Sequence, residues 1–549
     1  MQRIFLTGLS GSGKSTVGRE VARLLGWDLV DTDDLLAERM GLPVGQVFIE
    51  YGEQRFRELE SEALEAASRQ ERVVIATGGG AVIAEANRRF MHGQGLTVYL
   101  QVTVETAWQR IQEHMRQSET TVIRPLLAGA DGQQRLADLY VARTRWYEQA
   151  VLQVNTEELS PDMLARQIVA GALVHGYLSS PSIAQEVITL NLATVSSQAR
   201  VAWGGLHHLP QALQLSGFSS KGQRVFIVTD SEVGQLYAEP VKALLTSASF
   251  VPHVFTIPAG ESSKSLLCFE YIMDWLVEHG AEHTEPVIAL GGGVVGDLAG
   301  FVAACYHRGV PLIQVPTTLL AQVDSAIGGK TGINHPLAKN LIGAYYQPKL
   351  IMVDPALLLT LPERVYREGW AEIVKYGVIL DAELFEMLEK NAAALRSRSN
   401  EDVLTSIVAR CIRLKMDVVA RDERDGGLRN ILNYGHTFGH ALEAIAGYGT
   451  WLHGEAVSVG MEVAARIAVA QGLFSQDNAV RQHKLLRALD LPVNCPGVDF
   501  EAILAAMGRD KKVRDGRMRW VLPTSIGHAE VFKDIPLEAV LEAISVLII

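Results

Sequence analysis

The 549-residue sequence predicts two successive α/β units, each built on a mainly parallel sheet, the second one ending in a mostly helical half. Three observations carry this reading. Strand-like apolar runs alternate with helical patterns from RIFLTG (3–8) to about residue 175, the mark of parallel strands joined by crossover helices. The same alternation restarts at RVFIVTD (224–230), continues through PVIALGGGVVGDLAG and LIQVPTT, and stops near LIMVDP (350–355). From about 361 onward helical periodicity dominates, apart from the hairpin-like MRWVLPTSIGHAEVF (518–532). The expected organisation is therefore a first unit over 1–175, a joining stretch over 176–198, an α/β half over 199–360 and a helical half over 361–549. The joining stretch is Ser-rich and contains a proline. So long a chain also exceeds what one hydrophobic core serves.

Composition narrows the function classes. Lys and Arg number 50 against 62 Asp and Glu, a formal charge of −12, so neither nucleic acid nor an anionic membrane is an expected partner. Any anionic substrate must then be held by locally placed cations. The four cysteines, Cys268, Cys305, Cys411 and Cys495, are far apart and predict neither a disulfide framework nor a thiolate metal site. The N-terminus has no apolar signal core and no apolar run reaches the ~20 residues of a membrane span, so a cytoplasmic protein is expected.

In the first unit GLSGSGKST (8–16) completes the pattern GxxxxGK[ST] between a predicted strand and a predicted helix, the context that makes it specific for nucleotide phosphates. The backbone of Gly11, Ser12, Gly13 and Lys14 can cradle phosphates, the Lys14 ammonium can reach the β and γ positions, and Ser15, followed by Thr16, can ligate Mg²⁺. Asp31 and Asp33 in DTDD follow a predicted strand, and open sheets bind ligands at such ends. Arg57, the glycines 78–80, Arg124 in RPLL and Arg143 in ARTRWY add cationic and backbone donors. A single arginine is more often solvated surface; five matches in order are a pattern.

That order, P-loop, DxD, FR, GGG, RPLL and RxxxY, resembles shikimate kinase across residues 1 to about 170. The resemblance implies ATP with Mg²⁺ as cofactor and shikimate as substrate. Asp33 would meet the shikimate hydroxyls, and Arg57 and Arg143 its carboxylate. Gly79 and Gly80 would approach the ring, Arg124 would sit on a closing lid, and Asp31 would support Mg²⁺ together with Ser15. Another small-molecule P-loop kinase, such as gluconate kinase, is the competing reading.

In the second unit, NYGHTFGHALE (433–443) places His436 and His440 four apart, on one face if the stretch is helical. A zincin protease needs Glu after the first His, and Thr437 stands there. The pair alone reads equally as metal ligands or as histidines satisfied beside the core. WLHGEA adds His453 and EGWAEIVKYG adds Glu372 and Lys375. Glu372, His436 and His453 would form a two-nitrogen, one-oxygen metal site with open positions, leaving His440 for proton transfer or phosphate binding.

The motifs PAGESSK, GGGVVGD, PTT, DSAIGGKTGIN, LRNILNYGHTFGHALEA and LHGEA together resemble 3-dehydroquinate synthase over roughly 185–549. The resemblance implies Zn²⁺, with Co²⁺ possible, on Glu372, His436 and His453. It implies NAD contacts from Asp230, Glu261, Lys264, Gly292, Gly293, Asp297, Thr317, Thr318, Lys330, Lys339 and Thr360. Substrate contacts fall to Asp324, Lys330, Asn340, Lys375, Lys415, Arg429, Asn433 and His440, with Lys330, Lys375, Arg429, Asn433 and His440 expected to serve catalysis alongside Lys14, Asp33 and Arg124 of the first unit. One departure stands at Val365, where the family commonly carries an acid.

The implied substrate is 3-deoxy-arabino-heptulosonate 7-phosphate. Oxidation at C5 acidifies C6–H, phosphate leaves, C5 is reduced again, the ring opens and an aldol step closes the carbocycle. A homodimer through the synthase unit is also implied. Another sugar phosphate cyclase, a valiolone or deoxy-inosose synthase, is the competing reading for this unit; a non-catalytic scaffold conflicts with the intact Lys14, Ser15, Asp33, Glu372, His436 and His453.

Overall fold

The computed structural model describes residues 2–117, 125–127, 131–178, 186–193, 195–336, 338–447, 450–508 and 519–548. Arg124, expected on a lid, lies outside the described residues. The chain divides into two compact units, Met1–Ser179 and Ser180–Ile549.

The first unit is a five-stranded parallel sheet, β1 (Arg3–Thr7), β2 (Asp28–Asp31), β3 (Val73–Ala76), β4 (Leu96–Gln101) and β5 (Leu152–Asn155), in the order β2-β3-β1-β4-β5. Ile4, Phe5 and Leu6 of the central strand are fully buried, as expected for a parallel strand covered on both faces. The phosphate-loop residues follow β1 directly and lead into α1 (Lys14–Leu25). Because strand order reverses around β1, a crevice opens at the carboxyl ends of β1 and β3, where this loop and residues 77–80 lie.

The second unit contains a seven-stranded sheet: β6 (Glu186–Asn191), β7 (Ser196–Val201), β8 (Arg224–Asp230), β9 (Val251–Ile257), β10 (Val287–Gly291), β11 (Leu312–Pro316) and, beyond the hairpin β12 (Lys330–His335) and β13 (Ala338–Tyr345), β14 (Leu350–Val353). Its order is β6-β7-β14-β11-β10-β8-β9, parallel except for the edge pair β6–β7. The expected joining stretch 176–198 is therefore corrected: its second half supplies β6 and most of the start of β7. EVITLN has the two-residue alternation of a half-covered edge strand, which its Ser-rich surroundings obscure.

Three helices of the last half carry the second site: α2 (Glu363–Ile379), α3 (His436–Ala446) and α4 (His453–Ala470). A closing hairpin, β15 (Trp520–Ser525) with β16 (His528–Phe532), matches the sequence expectation. Backbone-level packing sets the spacing. A Cβ on Gly454 would lie 1.9 Å from the Glu368 carbonyl oxygen, so only glycine lets α4 start this close to α2.

Candidate active sites

In the first unit the structure gathers most of the residues read from the sequence. Lys14 Nζ donates to the carbonyls of Gly8 and Leu9, both at 2.9 Å, across the mouth of the phosphate loop. Ser15 Oγ donates to Asp31 Oδ2 at 2.6 Å, so the two expected supporters of Mg²⁺ adjoin. The other Asp31 oxygen accepts from the Asp33 amide at 3.0 Å and caps the helix that carries Asp33. Burial, with the nearby charges of Asp31 and Glu60, pushes the Asp33 carboxyl up to about 7. Ser12 has its hydroxyl buried with no partner among the described residues, whereas Thr16 is exposed.

Arg57 and Arg143 converge from two helices on the 78–80 segment. Arg143 donates to the Gly79 carbonyl at 3.0 Å, and the Tyr147 hydroxyl donates to the same oxygen. A Cβ on Gly80 would meet Arg57 Nη1 at 1.9 Å, so the guanidinium packs directly on backbone. Arg57 in turn pairs with the buried Glu60 at 2.9 Å. Tyr147 closes the RxxxY motif without a role assigned from sequence, and Glu60 is a residue the sequence reading lacks, its available signal being the three-residue step from Arg57 in FRELE.

In the second unit the metal-type cluster is the most defined feature. Glu372 is fully buried on α2, with Oε1 3.4 Å from His436 Nε2 and 3.6 Å from His453 Nε2. The three ligand atoms lie within 4.8 Å of one another. The outer ring nitrogens are already committed: His436 Nδ1 to the Tyr434 carbonyl at 3.0 Å, and His453 Nδ1 to Glu443 Oε2 at 3.2 Å. Those outer hydrogen bonds turn each Nε2 toward the carboxylate, where a bound cation would take its lone pair in place of a proton. Neither Glu372 oxygen accepts a well-aligned hydrogen bond, although the Lys375 ammonium lies against Oε2. Burial depresses the His453 imidazole, yet the Glu372 and Glu443 carboxylates beside it carry it up to about 10, so this point favours positive charge. The donor set fits a divalent cation.

His440 is exposed, with its ring 5.3 Å from His436 and 6.0 Å from His453, beside the cluster and not in it. It also groups with Glu443 and His453. Lys339, expected at the cofactor, instead pairs with Glu443 at 2.9 Å behind His453. Glu443 escaped the sequence reading, although HALE places it one turn after Gly439 on α3.

A second polar cluster adjoins Lys375. Asp324 Oδ1 accepts from Lys415 Nζ at 2.6 Å and from the Tyr376 hydroxyl at 2.7 Å. Burial lowers the Lys415 ammonium to about 8, Asp324 opposing it and Arg429 adding to it. Burial alone would raise the Asp324 carboxyl, but the Lys415 and Lys375 charges hold it far below the ordinary range. Arg429 is buried and donates to the Gly328 carbonyl at 3.2 Å. Asn433 is half-buried before α3. Lys330 is exposed and paired with Asp425 at 2.6 Å. Because the Tyr376 hydroxyl donates to Asp324 and to none of the three metal-type residues, Tyr376→Phe is expected to raise the KM for the substrate of this unit about 10-fold, from one lost charge-assisted hydrogen bond, and to leave the bound-metal content unchanged. Steady-state kinetics with metal analysis checks it.

The nucleotide-type residues line the carboxyl ends of β8 and β10. Gly292 caps the helix Gly293–Cys305, which opens directly after β10. Lys264 bridges Asp297 and Asn340, and Asn334 donates to Glu261 at 2.7 Å. Asp230 caps the next helix at the end of β8. Thr317 has a buried hydroxyl with no partner among the described residues, Thr318 accepts from the Ala321 amide, and Thr360 pairs with Tyr237 at 2.7 Å.

A P-loop phosphotransferase unit joined to a metal-centred unit with a nucleotide-type sheet is the class these two sites define. Residues 10–172 match the family model described as Shikimate kinase, 254–368 that of 3-dehydroquinate synthase N-terminal, and 369–513 that of 3-dehydroquinate synthase C-terminal. A 3-dehydroquinate synthase of Vibrio atlanticus is 47% identical over 360 residues, covering 65% of this chain and 98% of the relative. One from Desulforamulus reducens is 49% identical over 325 residues, 59% and 90%. The solved 2-epi-5-epi-valiolone synthase ValA of Streptomyces hygroscopicus subsp. jinggangensis, with NAD+ and Zn2+ bound, is 30% identical with a TM-score of 0.59, covering 66% of this chain and 99% of that one. A 2-deoxy-scyllo-inosose synthase with carbaglucose-6-phosphate, NAD+ and Co2+ is 25% identical with the same TM-score. The chain belongs to the 3-dehydroquinate synthase family, and it carries a shikimate kinase domain ahead of that unit. It is thus a kinase and a lyase in one polypeptide.

Proposed function

We propose that the residues gathered at the two sites perform these activities as follows. In the kinase unit, Ser15 and Asp31 support the Mg²⁺ of ATP, and Lys14 turns from the Gly8 and Leu9 carbonyls to the phosphates. Asp33 accepts the proton of the shikimate 3-hydroxyl, which its raised pKa suits near neutral pH. Arg57 and Arg143 fork onto the shikimate carboxylate, with Arg124 closing over ATP.

In the synthase unit Glu372, His436 and His453 would hold Zn²⁺ or Co²⁺, which supplies Lewis acidity at the C5 oxygen, and NAD over the Gly292–Gly293 turn supplies a reversible hydride acceptor. Asp324, fixed by Lys415 and Tyr376, orients the hydroxyls of the heptulosonate ring. Lys375 and Arg429 neutralise substrate charge, and His440 with Asn433 and Lys330 receives the phosphate end. The departing phosphate can take the C6 proton itself. The 47% identity to a 3-dehydroquinate synthase, against 30% to the valiolone synthase, supports the heptulosonate phosphate as substrate. A cytoplasmic homodimer belongs to the same reading; no helix among the described residues is long and apolar enough to cross a membrane.

The observation that carries this reading is Glu372, a buried carboxylate facing two histidines whose outer nitrogens are already fixed. Its test is phosphate release from the heptulosonate phosphate with NAD and without ATP. Release is expected to stop with chelator and to return with Zn²⁺. Release that ignores the chelator would overturn the metal assignment.

A further inference from the structure

A cleft of about 650 Å³ opens at the start of α2, outside the residues assigned to either reaction. Arg364 and Arg367 project into it from successive turns of α2, and Arg487 enters from the end of the helix Gln476–Ala488. Trp451 and the apolar run Leu491 to Val493 form an apolar wall, and Thr450, Glu455, Asp490 and Asn494 complete the lining. The guanidiniums are not equally engaged. Arg364 forks onto Glu455 at 2.8 and 2.7 Å. Arg367 and Arg487 have no ion pair within 4.0 Å among the described residues, and Arg367 Nε is buried without an acceptor.

Two carboxylates, Glu455 and Asp490, also line the cleft, and each of the neighbouring acids already has a partner other than Arg367 or Arg487. Glu363 pairs with Arg398 at 3.2 Å, Glu368 accepts from the Gly454 amide at 3.2 Å, and Asp490 pairs with Arg396 at 3.2 Å. Val365, between the two arginines of α2, has no charge to offer. The cleft is therefore locally cationic in a chain of formal charge −12. A buried guanidinium nitrogen without an acceptor is costly, and an anion seated against it removes that cost.

We propose that this cleft is a binding site for a small aromatic carboxylate, its carboxylate forked by Arg367 and Arg487 and its ring laid against Trp451 and Pro492. Planar guanidiniums match a planar carboxylate in two parallel hydrogen bonds, and an indole beside an apolar wall accepts a flat ring. The site also reaches the metal cluster. Glu455, the partner of Arg364, accepts from the Leu452 amide at 3.0 Å in the first turn of α4, two residues after His453.

The experiment is titration calorimetry of the full chain with 3-phenylpropionate, alongside its uncharged amide, acetate and inorganic phosphate. Saturable binding of 3-phenylpropionate with Kd of roughly 1 mM or tighter, none for the amide, and a loss of about 10-fold or more in Arg487→Gln are expected. Arg487 is exposed at a helix end, so its replacement does not threaten folding; Arg367→Leu gives the second reading. No saturable heat from 3-phenylpropionate, or equal affinity in both variants, overturns the site. Acetate or phosphate binding as tightly as 3-phenylpropionate overturns the aromatic assignment. Calorimetry reads binding directly, so failure here is separable from failure of the assigned reactions.

Discussion

Glu372→Gln is expected to cut phosphate release from the heptulosonate phosphate by about 10³-fold while the kinase keeps its rate, because metal polarisation contributes several kcal/mol to such a transition state. The amide keeps the shape of the side chain but donates where a metal needs an anionic acceptor. It also leaves the Lys375 ammonium buried at 2% exposure without its carboxylate. Breaking a buried pair of this kind costs about 3–5 kcal/mol, so the synthase unit should unfold at a lower temperature as well. Zinc content separates the two effects: a folded variant without zinc supports the ligand role, and a folded, zinc-loaded, inactive variant rejects it. Glu443→Gln serves as the graded control. At the metal cluster it touches only the outer nitrogen of His453, its other oxygen holding Lys339, and its loss should cost about 10–100-fold in metal affinity.

Asp33→Asn should lower shikimate phosphorylation by about 10²–10⁴-fold and leave phosphate release from the other substrate intact. The wild-type kinase rate should fall as pH drops through about 7, where Asp33 takes up a proton. Stability should move in the opposite sense. The folded-state pKa of about 7 lies above the ordinary 3.8, so the fold favours protonated Asp33. The stability it contributes is complete below pH 3.8 and is lost as pH rises through 7. Asparagine resembles the protonated form, so the melting temperature of the kinase unit should gain on wild type progressively from pH 4 to pH 7 and level off above. A kinase rate unaffected by the substitution, or a melting gain confined to acid pH, would remove Asp33 from the proton-transfer role.

Both sites were partly legible because their chemistry is written at short range. GLSGSGKST needs only one strand and one helix around it to act as a phosphate cradle, and those elements are where the alternation placed them. His436 and His440 share a helix, and His453 opens the next one. What stayed hidden depends on partners distant in sequence. Glu443 and Lys339 are 104 positions apart, and Asp324 and Lys415 are 91 apart. The strand β6 was hidden for another reason: an edge strand covered on one face alternates polar and apolar residues, and EVITLN does so for only six residues.

By itself the sequence determined the two α/β units, the phosphate loop, the Glu and His types of a metal triad and the wealth of cations in an acidic chain. These rest on local spacing and periodicity, which survive without knowledge of the fold. The tertiary structure decided which nitrogen of each histidine faces Glu372, that Lys339 pairs with Glu443, and that Tyr376 holds Asp324. It also decided that Arg367 and Arg487 line one cleft whose carboxylates, Glu455 and Asp490, are paired with Arg364 and Arg396. Such outcomes follow from packing, where a charge or lone pair takes whichever partner the approach of two helices leaves within about 3 Å, and no spacing along the chain encodes that choice.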